Sequence, residues 1–400
     1  MRDMAYRYRI CPDKAQEVML KKTFGCCRFV YNRMLSDKKA AYEKDGKLPR
    51  LTPARYKKEY EWLREVDSLA LANTQLHLEA AFRRFFDKTA NRYPKFKSGH
   101  AGRQSYTTNL VNGNIRIEGN RIRLPKVGEV KIRLHRSAPE EWKLKSVTVS
   151  MESAGEYYVS VLYELPESEN QADREGMQTI PAEGGSPEGR VEEEKDREGR
   201  ESKESREDGE ALRVLGIDYA MQGLAVFSDG TRADYPGYYR KGQEKLSREQ
   251  RKLSHCKKGS RNYGKQRKKV AKCHRKVRNQ RMDYLHKLSR KIADRYDAVA
   301  VEDIDMKAMS RALHFGKSVM DNGYGKFREM LAYKLEMQGK QLVRVDRFYP
   351  SSKRCSCCGA VKKELGLGER SYVCSCGNRM DRDINAAVNI REEGRRMLSA

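Results

Sequence analysis

Cys374-Ser375-Cys376-Gly377-Asn378-Arg379-Met380-Asp381-Arg382-Asp383-Ile384-Asn385-Ala386-Ala387-Val388-Asn389-Ile390 runs a metal-ligand pattern straight into a helix start. With Asp381 as the N-cap, Asp383, Ala386, Ala387 and Ile390 fall on one face of the helix that follows. That face is apolar except for Asp383. An ionised carboxylate on a packing face is costly unless a cation neutralises it. The plain alternative is a first-turn acid favoured by the helix dipole. Ala386 and Ala387 let the helix sit close to whatever it covers.

Working outward from this stretch, Cys355, Cys357, Cys358, Cys374 and Cys376 crowd into 22 residues, while Cys11, Cys26, Cys27, Cys256 and Cys273 are scattered. The pairs Cys355-x2-Cys358-Gly359 and Cys374-x-Cys376-Gly377, 15 residues apart, resemble the two knuckles of a zinc ribbon. Four thiolates fill a tetrahedral site and leave no position for substrate, so zinc there is structural. The second knuckle is one residue shorter than the usual Cys-x2-Cys. Cys357 is a spare thiol that could take a ligand's place.

Further upstream, Val214-Leu215-Gly216-Ile217-Asp218 and Ala298-Val299-Ala300-Val301-Glu302-Asp303 are short apolar runs that end in acids. Gly223 to Gly230 reads as a returning strand, Phe327 to Leu335 as an amphipathic helix, and Gln341 to Asp346 as a third strand. Strands alternating with helices indicate an α/β unit closed by the helix after Asp383. Asp218 and Glu302 at strand ends and Asp383 at a helix start can converge at one end of its sheet. Convergent carboxylates repel one another unless divalent cations lie between them. Two-metal phosphodiester hydrolysis needs that arrangement, with one ion activating water and the other stabilising the leaving oxygen.

The N-terminal part reads differently. Amphipathic helices are expected over Asp13 to Asp37, Tyr56 to Trp62 and Leu69 to Phe86, ending in the basic aromatic stretch Arg92-Tyr93-Pro94-Lys95-Phe96-Lys97-Ser98-Gly99. From Tyr106 to Glu164 the period becomes two, giving short strands with Arg and Lys at alternate positions. These read as a small β-domain, barrel-like, with one basic face. Residues 167–210 hold 16 acids and 7 bases with almost nothing apolar, the composition of a disordered linker or tolerated insertion. Arg240 to Lys291 hold 21 bases and 3 acids; a helix so one-signed repels itself unless a polyanion lies along it.

The whole chain of 400 residues carries 83 Lys and Arg and a formal charge of +27, which makes nucleic acid the expected partner. Its apolar runs fall far short of the roughly 20 residues needed to cross a bilayer. With no apolar run after the first charged residues, a cytosolic location is expected.

Gly216-Ile217-Asp218, the Val301-Glu302-Asp303 strand end, Tyr349-Pro350-Ser351-Ser352-Lys353 leading into Cys355-Ser356-Cys357-Cys358-Gly359, and Cys376-Gly377 followed by Asp381-Arg382-Asp383-Ile384-Asn385-Ala386-Ala387 together resemble the TnpB family. These OrfB-type proteins are encoded by insertion sequences and are related to type V CRISPR effectors. The resemblance covers the chain apart from the acidic segment. It implies a multidomain α+β protein with an RNase H-like (RuvC-like) nuclease domain over 212–350 and 378–396 and an inserted zinc ribbon over 351–377. A β-barrel-like wedge domain would comprise 1–10 and 106–165, a helical recognition domain 11–105, and the acidic linker 166–211.

The activity implied is DNA cleavage directed by a guide RNA transcribed from the element's end. Asp218, Glu302 and Asp383 would hold two Mg2+ ions, Arg382 and Asn385 would support them, and Cys355, Cys358, Cys374 and Cys376 would hold zinc. The N-terminal domains would hold RNA and read a motif beside the double-stranded target DNA. Two features depart from the family: Ala220 stands where Gly is usual, and the acidic segment is long. The competing readings are a nuclease-inactive RNA-guided DNA-binding regulator, which the presence of all three acids disfavours, and a strand-transferring transposase.

Overall fold

The computed structural model describes residues 3–87, 93–99, 103–166, 212–220, 223–306, 321, 323–366 and 368–399. Apart from Pro166, the acidic linker expected over 166–211 lies outside the described residues, as does Arg92. The chain divides into two compact units, Met1–Arg190 and Val191–Ala400.

The first unit begins with strand β1 (Asp3–Cys11) and helix α1 (Lys14–Asp45). A capping box starts α1: Asp13 Oδ1 accepts from the Gln16 N–H at 2.8 Å, and Gln16 Oε1 accepts from the Asp13 N–H at 3.0 Å. Gly46, with φ +65°, ends it in the left-handed conformation that glycine reaches without strain. Helices α2 (Pro53–Glu59) and α3 (Ser68–Phe86) follow, and then strands β2 (Gln104–Asn109), β3 (Arg116–Glu118), β4 (Arg121–Leu124), β5 (Gly128–Arg133), β6 (Lys143–Met151) and β7 (Tyr157–Glu164).

The strands form one antiparallel sheet in the order β2-β6-β7-β1-β5-β4-β3. Alternation sends Ile10, Ile122, Val130, Ile132, Val147, Val159 and Val161 to one face, where Leu20, Phe24, Met34, Leu71 and Leu78 of α1 and α3 cover them. The other face exposes Arg116, Arg121, Arg123, Lys131 and Arg133. Among the described residues the edge strands β2 and β3 do not pair with each other.

In the second unit β8 (Val214–Ala220), β9 (Leu224–Phe227) and β10 (Arg232–Asp234) lead into a helical hairpin of α4 (Tyr238–Ser254) and α5 (Arg261–Arg295). Then come β11 (Ala298–Glu302), α6 (Tyr324–Met337), β12 (Gln341–Val345), the short ribbon β13 (Ser371–Val373) and β14 (Arg379–Asp381), and α7 (Arg382–Ser399). The sheet order is β10-β9-β8-β11-β12. Strands β8, β11 and β12 are parallel, and β9 and β10 antiparallel.

Val214 to Ile217 and Ala298 to Val301 are buried throughout because both sheet faces are covered. Leu215, Ile217, Val299, Val301 and Phe227 pack with Leu285, Ile292, Phe327 and Leu331 from α5 and α6. Ala300 and Val345 pack on the opposite face with Ile390 of α7.

Candidate functional site

Register brings the acids together. Val301 pairs with Ile217 in parallel, so the residues that follow, Glu302 at the end of β11 and Asp218 two residues before the end of β8, lie side by side. Asp218 is paired with Val226, and Val226 with Arg232. Directly paired residues share a face, and so do residues two apart in one strand. Arg232, Asp218, Glu302, Gly216 and Ala300 therefore all point to the side that α7 covers.

That helix docks where side chains are missing. A Cβ on Gly216 would lie 2.1 Å from the Ala387 carbonyl oxygen and 2.6 Å from the Arg391 nitrogen, so only glycine lets α7 rest on β8. Gly394 meets Ala300 in the same way, since a Cβ there would come 2.4 Å from Ala300 Cβ. Ala386, Ala387 and Ile390 are fully buried beneath the helix. Asp381 caps it, with Oδ1 accepting from the N–H groups of Asp383 at 2.9 Å and Ile384 at 3.1 Å. Asp383 thus stands in the first turn, above the strand ends that carry Asp218 and Glu302.

The acids feel one another. Burial pushes the Asp218 carboxyl well above the usual carboxylate range, and the charges of Asp383 and Glu302 push it further. The Tyr219 backbone N–H and the Arg382 guanidinium partly offset this. Burial also raises Glu302. A buried carboxyl such as Asp218, raised by burial and by the charges of Asp383 and Glu302, with oxygen as the donor atom, suits a hard divalent cation. The neighbouring Asp303 is otherwise engaged, 3.7 Å from Arg328 and 3.5 Å from Arg347.

Around the acids sit residues with no sequence signal pointing to them. Arg328 donates to the carbonyls of Glu302 at 3.2 Å and Ile304 at 3.3 Å and lies over the Tyr324 ring, which fixes the end of β11. Tyr324 is completely buried and packs 4.7 Å from the Tyr219 ring. Arg232 reaches the start of α7, with Nη2 2.8 Å from Asp381 Oδ2 and Nη1 3.7 Å from Asp383 Oδ2. An arginine in a short edge strand or in a helix carries no periodicity that marks it, so only the tertiary contacts reveal these roles.

The sulfur ligands form a second centre. The Sγ atoms of Cys355, Cys358, Cys374 and Cys376 lie within 4.8 Å of one another and could hold a metal ion; Cys357 is exposed and outside the group. Cys355 and Cys376 Sγ are 3.7 Å apart, and Cys358 and Cys374 3.6 Å. Tetrahedral zinc with Zn–S bonds near 2.3 Å sets its sulfurs about 3.8 Å apart, so the spacing fits. Among the described residues no group of His, Cys, Asp and Glu other than these four thiols is gathered so closely.

Each knuckle is a tight turn closed by a left-handed glycine. Gly359 (φ +76°) donates to the Cys355 carbonyl at 3.0 Å, and Gly377 (φ +92°) to that of Cys374 at 3.0 Å. Burial pushes the Cys355 thiol up, but the backbone N–H of Cys358, the Asn378 amide and the Cys357 N–H outweigh it and bring the thiol down to about 6.

Asn385 and Asn389 bind the first knuckle to α7. Asn385 accepts from the Ser356 N–H at 3.0 Å and donates to the Arg354 carbonyl at 2.7 Å. Asn389 donates to the carbonyls of Ser351 at 2.8 Å and Arg354 at 2.7 Å. Arg382 donates to the Gly366 carbonyl at 2.8 Å, so it ties the ribbon to the helix while its charge reaches Asp218.

The hairpin of α4 and α5 carries the densest charge. Gly242 lets the helices approach, since a Cβ there would lie 3.0 Å from Val277 Cγ2, and Gln266 donates to the Glu249 carbonyl at 3.0 Å. Arg261, Lys265, Lys268, Lys272 and Lys276 recur every three or four residues along α5 and are all exposed. Such a stripe matches a phosphate backbone.

Residues 190–313 match a family profile described as "Probable transposase" (OrfB_IS605), residues 324–390 one described as "Cas12f1-like, TNB domain", and residues 1–47 one described as "Helix-turn-helix domain". In this chain the last segment is one strand and one long helix. A Cas12f1 chain from a complex solved by cryo-EM has a similar fold, with a TM-score of 0.53 at 13% identity over 94% of this chain and 83% of that one. An Acanthamoeba polyphaga mimivirus TnpB-like protein is 32% identical over 30% of this chain and 24% of its own length. An Escherichia coli K12 protein provisionally named RNA-guided DNA endonuclease InsQ is 29% identical over 99% of this chain and 93% of its own length. A Streptomyces pristinaespiralis protein with the same provisional activity in its name is 31% identical over 98% of this chain and 89% of its own length. With a likeness of that extent spanning both units, the chain belongs to the TnpB (OrfB) family.

Proposed function

We propose that this protein is an RNA-guided DNA endonuclease whose RNase H-like (RuvC-like) domain cuts DNA with Asp218, Glu302 and Asp383. The observation that carries the reading is the convergence of these three acids on one face of the β10-β9-β8-β11-β12 sheet, at the carboxyl ends of its central strands. A three-stranded antiparallel meander followed by two strands parallel to the first is the arrangement expected of an RNase H-like domain. The two relatives that match nearly the whole chain carry the same activity in their names. The similar Cas12f1 fold comes from a complex with sgRNA and target DNA.

The donor set fits Mg2+, which when bound supplies an activated water and stabilises the leaving oxygen. The chain's own residues prepare that place. Arg328 holds the Glu302 end of β11, Gly216 admits α7, and Asp381 caps the helix so that Asp383 faces Asp218. Cys355, Cys358, Cys374 and Cys376 would hold structural zinc in a ribbon over 351–377, and Asn385 and Asn389 lock that ribbon to α7. The lysine stripe of α5 and the basic face of the first unit would hold guide RNA and double-stranded target DNA.

The test is cleavage of a plasmid library by protein purified with its own RNA. Asp218→Ala should abolish cutting while RNA still co-purifies. Cleavage that survives the change overturns the assignment. Joined rather than free DNA ends would point to strand transfer instead.

A further inference from the structure

Resting on that nuclease reading, we propose that Phe348 is a stacking platform for an unpaired base of the DNA strand that enters the carboxylate site. Phe348 is 85% exposed, against 58% for Phe96, the next among the large apolar side chains of the described residues. Single exposed apolar residues are ordinary on protein surfaces. Phe348 differs in how firmly its backbone is held and in where it stands. Asp346 Oδ1 accepts from the Phe348 N–H at 2.7 Å, and the Asp346 carbonyl accepts from the Tyr349 N–H at 3.0 Å, which closes a β-turn over 346–349. Tyr349 packs against the cluster of Ala300, Val345 and Ile390. On the other side of the ring, Arg347 lies 3.5 Å from Asp303. The turn is pinned by its neighbours, so the backbone is not free to tuck the side chain away.

The turn follows β12 directly, and Val345 at the end of β12 pairs with Glu302. One strand spacing of about 4.8 Å and three residues of chain place the Phe348 Cα within about 15 Å of that of Glu302. Stacked nucleotides of one strand rise about 3.4 Å each, so a base on the ring would be a few nucleotides at most from a phosphate held at the acids. Pairing of a guide RNA with one DNA strand leaves the other unpaired, with the faces of its bases free. Every base has such a face, so an aromatic ring grips the strand without reading its sequence. The Arg347 guanidinium beside the ring supplies charge for the backbone.

The test uses the full chain with its co-purified RNA and target duplexes carrying one abasic residue at successive positions around the cut. Phe348→Ala should slow cleavage at subsaturating target about tenfold, the size of one lost base stack, with the melting temperature and the yield of RNA unchanged. Phe348→Trp should keep the wild-type rate, and Phe348→Leu, apolar but without a ring, should match Phe348→Ala. One abasic position should slow the wild type to the same extent and slow Phe348→Ala no further. In the Asp218→Ala background, with 2-aminopurine placed at each position in turn, one position should be quenched with Phe348 present and bright with Phe348→Ala. Wild-type cleavage in Phe348→Ala, full activity in Phe348→Leu, additive losses at every abasic position, a lower yield of RNA, or no quenched position overturns the proposal. A wild-type complex that quenches 2-aminopurine at one position but does not cut with Mg2+ overturns the nuclease reading and leaves the platform standing.

Discussion

Asp218 shows what a single residue contributes here and what it costs. Its carboxyl is raised by burial and by Asp383 and Glu302, so in the metal-free protein the charged form is disfavoured. An acid raised in the folded state stabilises the fold at low pH and loses that contribution as pH climbs through its folded pKa. Asp218→Asn should therefore raise the melting temperature of metal-free protein at neutral pH. For a unit of this size each kcal/mol of relieved repulsion is worth about 2–4 °C. Mg2+ should raise the melting temperature of the wild type but not of the variant, and the gain should grow as pH rises above the usual carboxylate range, because protons and Mg2+ compete for the same oxygens. Differential scanning calorimetry at several pH values checks both.

At the scale of elements, α7 converts sheet geometry into a site. It rests on β8 because Gly216 has no side chain, and the cysteine ribbon holds its start through Asn385 and Asn389. Gly216→Ala places a methyl group inside the helix backbone, a clash that packing cannot absorb and that should cost about 3 kcal/mol or more. The expected result is faster hydrogen exchange across residues 382–399 and loss of cleavage, while exchange in the first unit is unchanged. Helix α5 tests the other element-level assignment. Reversing Lys265, Lys268 and Lys272 to Glu should weaken nucleic-acid binding and flatten its salt dependence, because each lost phosphate contact lowers the slope by about one. Filter binding at several salt concentrations measures both.

Across the whole molecule, charge is distributed by segment rather than evenly. The acidic segment 167–210 carries a net −9 in a chain of +27, so deleting it leaves a more basic protein of +36. Such a deletion should tighten non-specific DNA binding at low salt and leave guided cleavage at its normal rate, the behaviour of a tolerated insertion. A fall in cleavage would give the segment a working role. Among the described residues no helix is long and apolar enough to cross a membrane.

The sequence by itself determined the α/β character of the second unit, the acids at its strand ends, the two knuckles and the basic helices. Each of these is a local signal, whether a period of two or of 3.6, a strand end or a fixed cysteine spacing. It also marked Asp383 as anomalous, a charge on an otherwise apolar face. The tertiary structure adds Arg232, which lies 2.8 Å from Asp381 and 3.7 Å from Asp383. It likewise shows Asp303, the neighbour of Glu302, paired with Arg328 and Arg347. Gly216 was visible as part of a motif, but its reason lies in the 2.1 Å that a Cβ would leave to Ala387 on a helix distant in sequence. Register and helix docking set these contacts, and a linear pattern carries no record of which side chains meet across a sheet.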